Sequence, residues 1–159
     1  MKITIYSCRG DEKPYLAEFR EKYGVELAET EKAPTEETVG LAAGSECISI
    51  VTTPMPEKLL KAYREAGVRY LSTRSIGYEH IDLEAAGRLG IHVGNVSYSP
   101  DSVADYTVML ILAAVRRLKL ILSRSSVQDY SLRGGQGREM HNLTVGVIGT
   151  GRIGGTVLR

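Results

Sequence analysis

Residues 145–159 read VGVIGTGRIGGTVLR. Within them Gly149, Gly151 and Gly154 stand in the G-x-G-x-x-G spacing of a dinucleotide-binding turn. Each glycine has its own task in such a turn. The first allows the sharp exit from a strand, the second leaves room for a pyrophosphate to reach the backbone, and the third lets the next helix pack closely. The start of that helix offers unpaired N–H groups and a partial positive charge to the phosphates. With 17 glycines in 159 residues, the spacing alone is weak, and a turn that binds nothing is the competing reading. Context favours a cofactor turn. Residues 143–148 are apolar and read as a strand running into Gly149, while Ile153, Val157 and Leu158 begin an apolar helix face.

Upstream, strand and helix signals alternate. Residues 2–6 (KITIY) have the β-branched content of a strand. Residues 12–23 set Tyr15, Leu16 and Phe19 on one helical face and stop at Gly24. Residues 25–28 alternate as a short strand, and Thr35 opens a helix with carboxylates in its first turn. Residues 47–51 form the next strand, and 56–66 a helix with Leu59, Leu60 and Tyr63 inward and Gly67 at its end. Residues 68–73 are a strand, Asp82 caps a helix that closes at Gly90, and 91–96 are a further strand. Such alternation needs right-handed crossovers and gives a parallel sheet covered on both faces. The fold class is therefore α/β.

The texture changes near residue 99. Ser99-Pro100-Asp101 reads as an N-cap, a proline at the first helical position and a first-turn acid. Val103, Thr107, Leu110, Ile111, Ala114, Leu118 and Ile121 then hold one helical period, which predicts a single long helix, a spine or subunit contact. Residues 124–142 read as a polar loop. A domain boundary falls around residue 98.

Composition excludes several classes. Twenty basic and nineteen acidic residues give a net charge of +1, which argues against a nucleic-acid partner. No apolar run reaches the ~18 residues of a membrane span, and residues 1–7 lack a signal-peptide pattern. Cys8 and Cys47 are too few and too far apart for a disulfide framework or a metal site, and read as buried thiols of a cytoplasmic protein.

Two loops carry candidate chemistry. In residues 72–82, STRSIGYEHID, backbone N–H groups at Ile76 and Gly77 lie where a strand ends and can hold a carboxylate; a plain connecting loop is the alternative. In residues 95–101, NVSYSPD, Tyr98 precedes a helix and either donates its hydroxyl to a substrate oxygen or sits half-buried in the loop. His80, His92 and His141 read as surface or structural, and Arg74 as half of a structural ion pair. Neither a nucleophile constellation nor a metal-ligand cluster is evident.

Together, STRSIGYEHID, GIHVGNVSYSPDSVADYTVMLILAAVR and LTVGVIGTGRIG resemble the D-isomer-specific 2-hydroxyacid dehydrogenases, in order and spacing over nearly the whole chain. Within them the likeness is greatest to the D-lactate dehydrogenases, including the vancomycin-resistance type. The resemblance implies a flavodoxin-like substrate domain over residues 1–98. Residues 99–159 are then an interdomain helix, a loop and the truncated start of a Rossmann NAD-binding domain. It implies that Ile76 and Gly77 hold the substrate carboxylate, that Tyr98 contacts the substrate and that Val103 lies near the nicotinamide. Gly149, Gly151, Arg152, Ile153 and Gly154 would serve the cofactor.

The substrate would be a small 2-keto or 2-hydroxy acid, the cofactor NAD, and the helix from Pro100 part of a homodimer interface. NAD and NADP are not distinguished, because the acidic ribose ligand, about 20 residues on, would follow Arg159. The family's catalytic arginine, glutamate and histidine also belong downstream of Arg159, so the isolated chain is expected to be inactive. Val145, Val147, Ile148, Val157 and Leu158 lack their usual covering, so the tail after residue 142 is expected to be frayed or dimer-bound. A non-catalytic binding or dimerisation module is the alternative.

Overall fold

The structure, a computed structural model, describes residues 1–159. The chain divides into two compact units, Met1–Tyr98 and Ser99–Arg159.

The first unit is a five-stranded parallel sheet: β1 (Lys2–Ile5), β2 (Glu26–Glu29), β3 (Cys47–Ile50), β4 (Tyr70–Thr73) and β5 (His92–Gly94), in the order β2-β1-β3-β4-β5. Period-2 alternation sends Ile3 and Ile5 to one face, where Cys8, Leu16, Val25, Leu27 and Cys47 join them. The other face carries the larger core, in which Ile48, Ile50 and Leu71 meet Leu59, Leu60 and Tyr63 of α2 (Glu57–Glu65) and Ala85 and Ala86 of α3 (Leu83–Arg88). Gly24, Gly67 and Gly90 all have positive φ and end the preceding helical turns. The Asp82 carboxylate accepts the Ala85 N–H at 2.9 Å and caps α3.

Two elements of this unit differ from the sequence expectation. In α1 (Lys13–Tyr23) only Leu16 enters the core; Tyr15 is 73% and Phe19 40% exposed. The cluster beneath α1 is small and Leu16 fills it, while Phe19 packs on the neighbouring Tyr23 ring. The helix expected from Thr35 is a 3₁₀ segment, Glu36–Ala42. Its Thr38 hydroxyl donates to Ala33 O at 2.8 Å, the local side-chain-to-backbone bonding that competes with α-helix.

Deep in the larger core, Tyr6 and Tyr63 meet edge to face, 5.8 Å between centroids. The Tyr6 hydroxyl donates to Thr38 O at 2.7 Å, whereas the buried Tyr63 hydroxyl has no hydrogen-bond partner. Burial raises the Tyr63 pKa and keeps it neutral. Opposite effects follow from one deletion. Tyr6→Phe is expected to cost about 1 kcal/mol of unfolding free energy by losing a bond, while Tyr63→Phe is neutral or stabilising by up to about 1 kcal/mol. Urea denaturation of the two variants checks this.

The second unit contains α4 (Asp101–Val115), α5 (Leu118–Ser125) and α6 (Arg152–Val157), with a 3₁₀ turn at Met140–Asn142. The expected single spine is broken. Arg117 takes φ 53°, a left-handed conformation that ends α4 and restarts the chain as α5. The loop stabilises this break: the Arg138 N–H donates to Val115 O at 3.0 Å, and the Arg117 guanidinium to Gly134 O at 2.9 Å. At the start of α4, Ser99 Oγ accepts the Asp101 N–H at 3.2 Å, and Pro100 stands one position before the first helical residue.

The strand expected at 143–148 does not form. A strand exists only through ladder bonds to a neighbour, and no ladder reaches this segment, in which Ile148 is fully exposed. α6 nevertheless folds and packs on α4. A cavity of about 420 Å³ lies among Thr107, Ile111, Val147, Gly149 and Val157.

Candidate functional site

In a parallel sheet the carboxyl ends of the strands are where ligands bind, above all where strand order reverses. Here the reversal lies between β1 and β3. A crevice of about 570 Å³ opens there, lined by Ser7, Arg9, Glu31, Thr52 and Thr53 among others. Sequence reading missed it, because strand order is not visible in strand spacing.

Beside the crevice, Arg74 leaves the end of β4 and binds four neighbours. Its guanidinium pairs with Glu12 at 2.9 Å and donates to Ser49 Oγ at 3.0 Å, Tyr6 O at 2.9 Å and Ser7 O at 3.2 Å. Arg74 and Glu12 are each four-fifths buried, so this is a structural tie of the kind the sequence suggested, with more partners.

The loop that follows is held from both sides. The buried Thr73 hydroxyl donates to Val51 O at 2.6 Å and lies 2.6 Å from Ser75 Oγ. Ser75 Oγ donates to Gly77 O at 2.8 Å, and the Asn95 amide nitrogen to Ile76 O at 2.8 Å. The N–H groups of Ile76 and Gly77 are not used in these bonds, and Ile76 lies at the surface. The result is a fixed loop with two backbone donors available, arrangement enough for one carboxylate.

His80 Nε2 is 3.4 Å from Thr73 Oγ1, which ties the ring to the loop. His92 stacks on Tyr70 at 5.4 Å, and His141 is exposed. Tyr98, the last residue of the first unit, is half exposed. No group of three or more His, Cys, Asp or Glu side chains is arranged to hold a metal ion, and no helix is long and apolar enough to cross a membrane.

Cys8 and Cys47 are free thiols, Cys8 buried and Cys47 half-buried. Burial pushes both pKa values up, and for Cys8 the Glu29 and Glu12 carboxylates add to it. Since the thiolate is the nucleophile, iodoacetamide at pH 7.5 is expected to modify the native chain at least about tenfold more slowly than the urea-unfolded chain. The rate should rise with pH above the ordinary thiol range. Equal rates in the two states would contradict the burial.

In the second unit, Gly149 turns with φ 85° and Gly151 is the N-cap of α6. A Cβ on Gly151 would meet nothing within 4 Å, so the backbone there is open to approach. A Cβ on Gly154 would lie 1.9 Å from Gly149 O, a position only glycine fills. Arg152 and Ile153 form the first turn of α6 with Gly154, while Val103 is on α4, its carbonyl accepting the Thr107 hydroxyl at 2.8 Å.

Residues 3–144 match the model of the D-isomer specific 2-hydroxyacid dehydrogenase catalytic domain. The chain therefore belongs to the D-isomer-specific 2-hydroxyacid dehydrogenase family. It is 43% identical over 157 residues to a D-specific alpha-keto acid dehydrogenase of Enterococcus faecium, covering 98% of this chain and 49% of that protein. The apo-structure of D-lactate dehydrogenase from Escherichia coli superposes with a TM-score of 0.87 at 34% identity, over 99% of this chain and 51% of that one. An NAD-complexed D-isomer specific 2-hydroxyacid dehydrogenase from Lactobacillus delbrueckii ssp. bulgaricus gives 0.68 at 29% identity, over 99% and 49% of the two chains. The chain spans about half the length of the curated relatives it matches.

Proposed function

We propose that residues 1–159 are the N-terminal half of an NAD-dependent D-2-hydroxyacid dehydrogenase that reduces a small 2-keto acid such as pyruvate. The observation that carries this is the 75–77 loop, a rigid pair of unspent N–H donors at the carboxyl end of β4, in a chain of this family. Met1–Tyr98 is read as the substrate domain and Ser99–Arg159 as the spine and opening turn of the cofactor domain.

Each residue then has a task. The Ile76 and Gly77 amides hold the substrate carboxylate, and the Tyr98 hydroxyl bonds a substrate oxygen. Val103 packs beside the nicotinamide. Gly149, Gly151, Arg152, Ile153 and Gly154 receive the pyrophosphate. The glycine turn fits that group, since the space over Gly151 is open and Gly154 lets α6 close on Gly149. When bound, NADH supplies the hydride that reduces the keto carbon. The proton and the charge that polarises the carbonyl come from a histidine, glutamate and arginine assigned to the half following Arg159. His80 is not assigned that role.

Tyr106, Met109, Leu110 and Leu112 expose a large apolar area on α4, the kind of face that pairs subunits, and support a homodimer through this helix. Free thiols at Cys8 and Cys47 fit a reducing cytoplasm.

The division of labour is tested by NADH oxidation with pyruvate, comparing the 159-residue chain with the complete gene product that contains it. The chain alone is expected to show no turnover. Sustained turnover by residues 1–159 at the rate of the complete protein would overturn the assignment of the catalytic residues to the second half.

A further inference from the structure

Two side chains outside the proposed substrate contacts hold the peptides on either side of Gly77 and so fix where its N–H points. A trans peptide places its N–H opposite its C=O, and the chain has no cis peptide. Asn95 holds Ile76 O at 2.8 Å, so the Gly77 N–H is directed away from Asn95. Ser75 holds Gly77 O at 2.8 Å and fixes the following peptide, which carries the Tyr78 N–H, so the chain is held on both sides of Gly77. Ser75 Oγ also lies 2.6 Å from the Thr73 hydroxyl, which anchors it to the end of β4. Asn95 reaches the loop from beyond β5, 19 residues from its acceptor, so the bond joins two strand ends.

We infer that Asn95 and Ser75 are positioning residues: they hold the two peptides that flank Gly77 in the orientation that aims the Gly77 N–H at the carboxylate of the substrate. This rests on the reading that Ile76 and Gly77 bind that carboxylate. A glycine loop without such ties samples many peptide orientations, and only a fraction of them would present the Gly77 donor. Asn95 is exposed and caps no helix or strand, so its loss leaves the core in place. Ser75 is smaller and partly buried and gives an independent variant.

The test is a ¹⁵N–¹H NMR titration of the 159-residue chain with pyruvate, and with pyruvamide as the ligand lacking a carboxylate. The Ile76 and Gly77 amides are expected to shift with pyruvate and not with pyruvamide. Asn95→Leu and Ser75→Ala should each raise the apparent Kd for pyruvate by about five- to tenfold, the scale of one lost hydrogen bond, while dispersion elsewhere in the spectrum is kept. An unchanged Kd in both variants, with the wild-type amides responding, would overturn the positioning role and leave the carboxylate site standing. Wild-type amides that do not respond to pyruvate would overturn the carboxylate site and the inference with it.

Discussion

Gly154→Ala is expected to weaken NADH binding by the complete gene product about 100-fold, which corresponds to nearly 3 kcal/mol. The added methyl would sit 1.9 Å from Gly149 O, 3.1 Å from Gly149 C and 3.3 Å from Val147 Cγ1. Two of these neighbours are backbone, and backbone cannot swing aside as a lysine tip does. Relief requires α6 to move off the turn. That movement would take the N–H groups of its first turn away from the proposed pyrophosphate position, and overpacking of this kind costs about 1–3 kcal/mol or more. Gly151→Ala makes the informative contrast. Its Cβ meets nothing in the free protein, so the fold should tolerate it, and any loss of NADH affinity would report the cofactor occupying that space. Fluorescence titration with NADH measures both. Near wild-type affinity in Gly154→Ala would contradict the geometry of the turn.

Ile48→Ala is expected to destabilise the first unit by about 3–4 kcal/mol. Ile48 lies on β3, with β1 on one side and β4 on the other, and is fully buried. Its side chain belongs to the core cluster that also holds Ile50, Leu60 and Tyr63. A central strand bonded on both edges cannot shift to close the cavity, so the cost sits in the upper part of the usual range. Against a domain stability of about 5–15 kcal/mol this is a large fraction, and the urea midpoint should fall by about 2 M. Phe19→Ala, on the exposed side of α1, should cost well under half as much. Equal costs would mean that α1 is buried in solution by something this chain's fold does not provide.

Local chemistry explains what the sequence made legible. Gly24, Gly67 and Gly90 stop helices because each takes a positive φ, and Asp82 caps α3 with its own carboxylate. Leu59, Leu60 and Tyr63 fall on one helical face and are buried as their spacing predicts. Non-local contacts explain what was not legible. Arg117 breaks the spine at an arginine, with no glycine or proline to announce it, because a bond from Arg138 ends α4. Residues 143–148 have a strand's composition, yet a strand also needs a neighbour to bond.

The candidate site divides along the same line. The turn glycines could be read from their spacing, and the Ile76–Gly77 donors from their place after β4. Arg74 finds Glu12 across 62 residues, and Asn95 finds Ile76 across 19, through sheet contacts that no local window contains. The crevice at the β1–β3 reversal depends on strand order alone.

The most direct test of the central claim is the reaction of the complete gene product with pyruvate and NADH, followed by chiral analysis of the lactate formed. Stoichiometric NADH oxidation yielding the D-isomer is the predicted result. No oxidation with pyruvate or any other small 2-keto acid, or formation of the L-isomer, would contradict it.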